Sequence, residues 1–470
     1  MENFAARATA TTVPITPITR AELKAWTAKQ SKSTKAWVKA REYDAKANNV
    51  LVVPGRDGSI GRVLIGVGSE GIGPWTIARL PAMLPKGSYA LERVDGNKSV
   101  PLTAAEADAA ALGWGLGAYD FTRYLAKPKK LGAKLVWPDA CNRDAVTAAL
   151  EATAMVRDLI NTPASDMGPR DLVDAGVELA GRHGAEVSVL EGDELLEHNY
   201  PAVHAVGRGS ERAPCLVDIR WGDPKAPKVS LVGKGVVFDS GGLDLKSAGG
   251  MKLMKKDMGG GAHVLALAHM IMSAKLPVRL RVLVPAVENG VAGDAMRPLD
   301  VLSTRKGISV EVGNTDAEGR LILCDALAEA DSEKPDLLVD FATLTGAARV
   351  AVGTELAAMF TDDEALAAEL YAAGEAESDP MWRLPLYTPY RRFLDSRVAD
   401  INNISSVGQG GAITAALFLK EFVSSKTSWV HFDVMGWNAQ TRPGRPVGGE
   451  AMGLRATFAV IAARYPATAE

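Results

Sequence analysis

Two stretches of this chain set charged side chains among glycines and apolar residues. One runs from Ser230 through Lys234 and Asp239 to Gly242, the other from Val312 through Asp316 and Glu318 to Leu321. A fold that buries the apolar part must find partners for these charges, because an unpaired buried charge is strongly disfavoured. Asp316 and Glu318 are two residues apart, so in extended backbone both side chains point to one side, roughly 6 to 7 Å apart at Cα. That spacing suits two carboxylates that share a metal centre. Gly319 then permits a close backbone approach or a positive φ. Arg320 adds a fixed cation able to hold an anion through paired hydrogen bonds.

Upstream, Gly-Lys-Gly interrupts a short apolar strand that ends in Asp239-Ser240-Gly241-Gly242. Lys246 follows, and Lys255-Lys256-Asp257 opens an apolar, helix-like run. If the stretches meet, Asp239, Asp257, Asp316 and Glu318 gather their negative charges. Each close pair then repels by about 4 kcal/mol at ~4 Å for an effective dielectric of about 20. Two divalent cations would neutralise them. Carboxylates suit Mg²⁺, Mn²⁺ and Zn²⁺ alike, so the donor set leaves the metal open.

The segments Gly233-Lys234-Gly235-Val236-Val237-Phe238-Asp239-Ser240-Gly241-Gly242 and Asn314-Thr315-Asp316-Ala317-Glu318-Gly319-Arg320-Leu321 resemble the signature of the leucyl (cytosol) aminopeptidase family, peptidase family M17. Residues 157 to 167, 342 to 347 and 411 to 422 also resemble family segments, in the family's order, so that the likeness covers about residues 150 to 460. The resemblance implies a metallo-exopeptidase that releases N-terminal residues, preferably leucine or other apolar ones, from short peptides through a two-metal-activated water. It assigns Lys234 and Asp257 to the tighter ion, Asp316 to the exchangeable ion, and Asp239 and Glu318 to both. Lys246 becomes the catalytic lysine that stabilises the oxyanion, a contact typically worth about 3 to 4 kcal/mol. Arg320 would hold a bicarbonate-like anion that shuttles a proton. Met254, Thr343 and Gly346 would line the side-chain pocket. The metals implied are Mn²⁺ or Zn²⁺, with Mg²⁺ as a further option, and the assembly a homohexamer.

At 470 residues the chain suggests more than one domain. We read residues 1–143 as a small mixed α/β accessory domain, macro-like by the resemblance. Residues 144–470 are read as a larger α/β/α catalytic domain with a mixed central sheet. In the first part a lysine-rich helical opening near Arg20 to Arg41 reads as a solvated face. Strands follow at Val50 to Val53 and Arg62 to Val67, then an alanine-rich helix at Thr103 to Leu112 and a separate apolar patch at Gly113 to Phe121. Lys127 to Lys130 marks the way out, and Asp144 to Leu159 a joining helix that stops before Pro163. Beyond it, apolar runs at Val229 to Val232, Leu280 to Val284, Leu337 to Phe341 and Val430 to Val434 alternate with helical segments, which argues for a sheet covered on both faces. Ligands in such sheets bind beyond the carboxyl ends of the strands.

A formal charge of −3 gives no pull towards nucleic acid or anionic membrane. Cys141, Cys215 and Cys324 read as buried free thiols of a reducing compartment. With no apolar leader segment near Met1, the expected location is cytoplasmic. His263 and His269 lie in an apolar helical run and read as core or helix-face residues, and Lys255 and Lys256 as solvated charges beside the site. Departures from the family pattern are Ser247 after the catalytic lysine, Leu299 in Arg297-Pro298-Leu299-Asp300, and the segment Arg445 to Thr457, which leaves the back wall of the pocket undefined. Two other classes are carried forward: another two-metal hydrolase such as a phosphoesterase, and a catalytically silent binding protein.

Overall fold

The computed structural model describes residues 2–69, 71–95, 98–128 and 130–467; Lys129, in the expected interdomain exit, lies outside them. Two compact units emerge. One holds the chain up to Glu151 with Gln440–Pro446, the other Ala152–Ala439 with the chain from Val447 onward. The division falls inside a single helix, Arg143–Asn161.

The first unit is built on a sheet ordered Phe4–Ala5, Ala133–Val136, Gly87–Leu91, Val13–Ile18, Ile60–Gly66, Val50–Pro54. Only the edge strand Val50–Pro54 runs antiparallel to its neighbour. The lysine-rich opening is not one helix but two, Arg20–Ala28 and Lys32–Ala40. Thr19 and Glu22 form a capping box on the first, and Ser31 caps the second. Lys24, Lys29, Lys32, Lys35 and Lys39 all face solvent. The alanine-rich helix does not stop at Leu112. It runs Ala104–Ala118, so the expected separate apolar patch is largely its second half. The reason is packing: a Cβ on Gly113 would lie 1.8 Å from the Pro74 carbonyl oxygen, and one on Gly117 1.8 Å from that of Ala78. Glycines that weaken an isolated helix here let it lie against another backbone.

The second unit carries a mixed sheet ordered Met381–Arg383, Ala357–Phe360, Trp429–Asp433, Leu337–Ala342, Lys228–Gly233, Arg279–Asn289, Cys215–Trp221, Glu186–Glu191. Its centre, Trp429–Asp433 to Arg279–Asn289, is parallel. Helices cover both faces. Gly259–Ser273 packs on one side, where Gly233 would push a Cβ to 2.4 Å from Val264, and Glu318–Ser332 belongs to the opposite core with Val232, Leu283 and Leu338. Among the described residues no helix is long and apolar enough to cross a membrane. The three cysteines are free; Cys215 and Cys324 are buried, but Cys141 is only partly covered.

His263 and His269 sit inside this core. His263 stacks on Phe341, its Nδ1 lies 2.6 Å from the Gly259 carbonyl oxygen, and its Nε2 lies 2.9 Å from the Met452 amide nitrogen. These partners require a proton on Nδ1 and a bare Nε2, hence a neutral ring. Burial holds its pKa down at about 4, against the pull of the Gly259 carbonyl and Asp379. The unfolded chain takes up this proton near pH 6.5, whereas the folded chain resists until about pH 4. Stability is therefore lost as pH falls through this window, by up to about 3 kcal/mol at about 1.4 kcal/mol per unit. Urea unfolding of His263→Gln at pH 7 and pH 4.5 should show a smaller acid loss than the wild type; an identical loss would contradict this origin.

Candidate metal centre

The charged residues converge at the carboxyl ends of the central strands. Lys234 follows directly on the Lys228–Gly233 strand, and Asp239 ends the short strand Gly235–Asp239, whose last register partner is Asn289. Asp257 caps the 3-10 turn Met254–Lys256 just ahead of the Gly259–Ser273 helix, and Glu318 is the first residue of its own helix. The loop after Asp239 turns back through Gly241 and Gly242, both at positive φ. It is pinned by the Thr315 hydroxyl, which donates to the Gly241 carbonyl at 2.6 Å. That return brings Lys246 Nζ to 2.8 Å from Asp239 Oδ2 and 2.5 Å from Asp316 Oδ1. Lys234 Nζ lies 2.8 Å from Asp257 Oδ2 and 2.9 Å from Glu318 Oε1, and donates to the Thr343 carbonyl at 3.0 Å. Gly319 answers to close approach: a Cβ there would lie 2.4 Å from Lys234 Cε.

Carboxylate oxygens of Asp239, Asp316 and Glu318 all lie within 4.8 Å of one another. Asp257 Oδ2, Asp316 Oδ1 and both Glu318 oxygens are buried without a hydrogen-bond partner, although the lysines stand at ion-pair distance. Burial first, and then the charge of Asp239, raise the pKa values of Asp316 and Glu318 above the usual carboxylate range; Asp257 is raised by burial, with Asp239 adding to it. Burial works against the Lys234 ammonium, but Asp257, Glu318 and Asp239 together outweigh it and raise its pKa. Lys246 is likewise raised, by Asp239 and Asp316 against burial. Hard oxygen donors crowded until they repel, with lone pairs left unsatisfied, fit divalent cations. Arg320 is buried with Nη1 donating to the Asn403 carbonyl at 2.6 Å, while its Nε has no partner. Burial lowers its pKa to about 10, with Glu318 and Asp433 opposing.

All ten residues singled out in the sequence line one cavity of about 690 Å³: Lys234, Asp239, Lys246, Met254, Asp257, Asp316, Glu318, Arg320, Thr343 and Gly346. Thr343 has a second task besides forming wall, since its hydroxyl donates to Asp257 Oδ1 at 2.9 Å. The expectation of two solvated lysines beside the site is overturned. Lys255 Nζ is bound to the Asn161 carbonyl at 2.5 Å and stands 5.7 Å from the Trp437 ring centroid, and Lys256 is only 6% exposed.

The catalytic-domain profile of the cytosol aminopeptidase family matches residues 154–458. This chain belongs to that family. The N-terminal domain profile of the M17 aminopeptidases matches residues 13–138 as well. A probable cytosol aminopeptidase of Stenotrophomonas maltophilia is 43% identical over 343 residues, 70% of either chain. One of Chlorobaculum tepidum is 46% identical over 283 residues, 60% of this chain and 56% of the relative. Among solved structures, a cytosol aminopeptidase of Coxiella burnetii is similar with a TM-score of 0.94 at 48% identity, covering 99% of this chain and 100% of the other. The bottromycin maturation enzyme BotP in complex with Mn is similar with a TM-score of 0.86 at 34% identity, over 97% of this chain and 100% of the other. Cytosol aminopeptidases are metal-dependent hydrolases, and this chain is an enzyme of that class.

In this chain, the residues that aim the acids come mostly from outside the two signature segments. Asn289 Nδ2 donates to Asp239 Oδ1 at 2.8 Å and to the Thr315 carbonyl at 3.1 Å. Asn403 Oδ1 accepts from the Gly313 and Asn314 amides, and its carbonyl accepts from Arg320. Asp244 Oδ2 accepts from the Thr315 amide at 2.7 Å. An asparagine at a strand's end is the only linear signal of this scaffold, and it is weak.

Proposed function

We propose that this chain is a two-metal aminopeptidase that releases N-terminal residues, preferably leucine or another apolar one, from short peptides. The observation that carries the reading is the gathering of Asp239, Asp257, Asp316 and Glu318 with Lys234, Lys246 and Arg320 around one cavity, with carboxylate oxygens left unsatisfied. Lys234 and Asp257 would hold the tighter ion, Asp316 the exchangeable one, and Asp239 and Glu318 both. When bound, two divalent ions supply a water acidified towards neutrality and a polarised scissile carbonyl. The nature of the donors leaves Mn²⁺, Zn²⁺ and Mg²⁺ open; the manganese in BotP favours the first.

The chain's own residues do the rest. Lys234 must lose its proton to act as a ligand, so loading the site releases that proton. Lys246, whose ammonium stands between Asp239 and Asp316, would face the oxyanion where those carboxylates hold cations instead. Arg320, with its unpartnered Nε, would hold a bicarbonate-like anion that carries a proton to the leaving amine. Met254, Thr343 and Gly346 would receive the substrate's side chain, and a methionine there favours apolar groups. Division of labour between an accessory domain, residues 1–143, and a catalytic domain, residues 144–470, a homohexameric assembly and a cytoplasmic location are proposed from the family resemblance.

Metal-stripped protein should be inactive on leucine p-nitroanilide and regain turnover with Mn²⁺, Zn²⁺ or Mg²⁺. Equal efficiency on Leu, Met, Ala and Gly amides would overturn the side-chain preference. Hydrolysis of phosphate esters without any action on aminoacyl amides or Leu-peptides would replace the whole reading by the phosphoesterase one, and complete inactivity by the binding one.

A further inference from the structure

Besides Met254 and Gly346, the cavity is lined by two further cations, Lys256 and Arg349, and by Asp433. Lys256 is more than nine-tenths buried, lines the cavity, and among the described residues has no ion pair or hydrogen bond for its amine. Arg349, one turn after Gly346 in the helix Gly346–Val352, lines the same cavity and likewise has no carboxylate partner there. Its guanidinium folds back towards the pocket, because Nη2 would lie 3.7 Å from a Cβ placed on Gly346. Both cations therefore open onto the same cavity.

A pocket built for aliphatic side chains alone has no use for two such donors. The group that satisfies both is a carboxylate, whose oxygens match the arginine fork and leave a lone pair for the lysine. Arg349 stands beside Gly346, a proposed wall of the side-chain pocket, which points to the side chain of the N-terminal residue as the source of that carboxylate. We propose that the pocket also takes acidic N-terminal residues, with the methylenes along Met254 and the carboxylate received by Arg349 and Lys256. This rests on the aminopeptidase reading above.

The test compares kcat/KM of metal-loaded, full-length protein on the p-nitroanilides of glutamate and leucine, and on Leu-Leu against its C-terminal amide. Wild type should take the glutamate substrate with an efficiency within about tenfold of leucine. Arg349→Gln should lower the glutamate-to-leucine ratio roughly 30-fold, Arg349→Glu should lower it further, and Arg349→Lys should restore part of it. Arg349 is exposed, so these variants should fold; Lys256→Met provides a second, independent change with the same expected direction. Turnover of leucine with no detectable turnover of glutamate would overturn the inference, as would a ratio that stays within about threefold in all variants. A change confined to Leu-Leu against its amide would place the cations at the peptide's C-terminus and would overturn it too. If neither anilide is cleaved by metal-loaded protein, the aminopeptidase reading fails and takes this inference with it.

Discussion

Glu318→Ala should lower kcat on leucine p-nitroanilide by on the order of 10⁴-fold, a rise of about 5 kcal/mol in the barrier. Glu318 is 1% exposed, stands at the start of its helix, and has one partner, the Lys234 ammonium 2.9 Å from Oε1, while Oε2 has none among the described residues. Alanine forfeits the pair with Lys234, but burial and the charges of Asp239 and Asp257 disfavour the Glu318 carboxylate more than that pair favours it. Without metal, the variant should therefore melt at or above the wild-type temperature. The stabilisation that metal gives the wild type should shrink, because a ligand stabilises the folded state only as far as it binds there. Activity lost together with unfolding in the metal-free state would mean that Glu318 is structural instead.

Lys246→Ala has the second largest expected effect, a fall in kcat of roughly 10² to 10³-fold with KM changed far less. Its ammonium now bridges Asp239 and Asp316, so its removal also leaves two acids facing each other unrelieved. The metal-free variant should melt below the wild type, opposite in sign to Glu318→Ala. Metal should then recover more stability in this variant than in the wild type, since cations relieve the added repulsion. A kcat within threefold of wild type would remove Lys246 from the catalytic reading.

The candidate site was legible because its charged residues lie in two short segments, each a strand end with its loop, and the local spacing of Asp316 and Glu318 already implied a shared centre. What escaped depends on distant partners. Gly113 and Gly117 look like helix breakers until the Pro74 and Ala78 carbonyls that they accommodate are known. The break at Ser31 is a capping choice that a lysine-rich run conceals. Lys255 and Lys256 read as solvent-facing from their charge alone, yet the fold encloses one and ties the other to the Asn161 carbonyl. Asn289 and Asn403, which aim Asp239 and Arg320, join the centre from remote strand ends and loops, so no local pattern announces them.

The central claim is that the four acids and Lys234 hold two ions. Its most direct test is to count metal: Mn²⁺ bound per chain, by native mass spectrometry of the reloaded protein, with the electron paramagnetic resonance spectrum of the same sample. The account predicts two Mn²⁺ per chain, a spectrum of magnetically coupled ions, and loss of the coupling in Glu318→Ala. A single isolated ion per chain in fully active protein would contradict it.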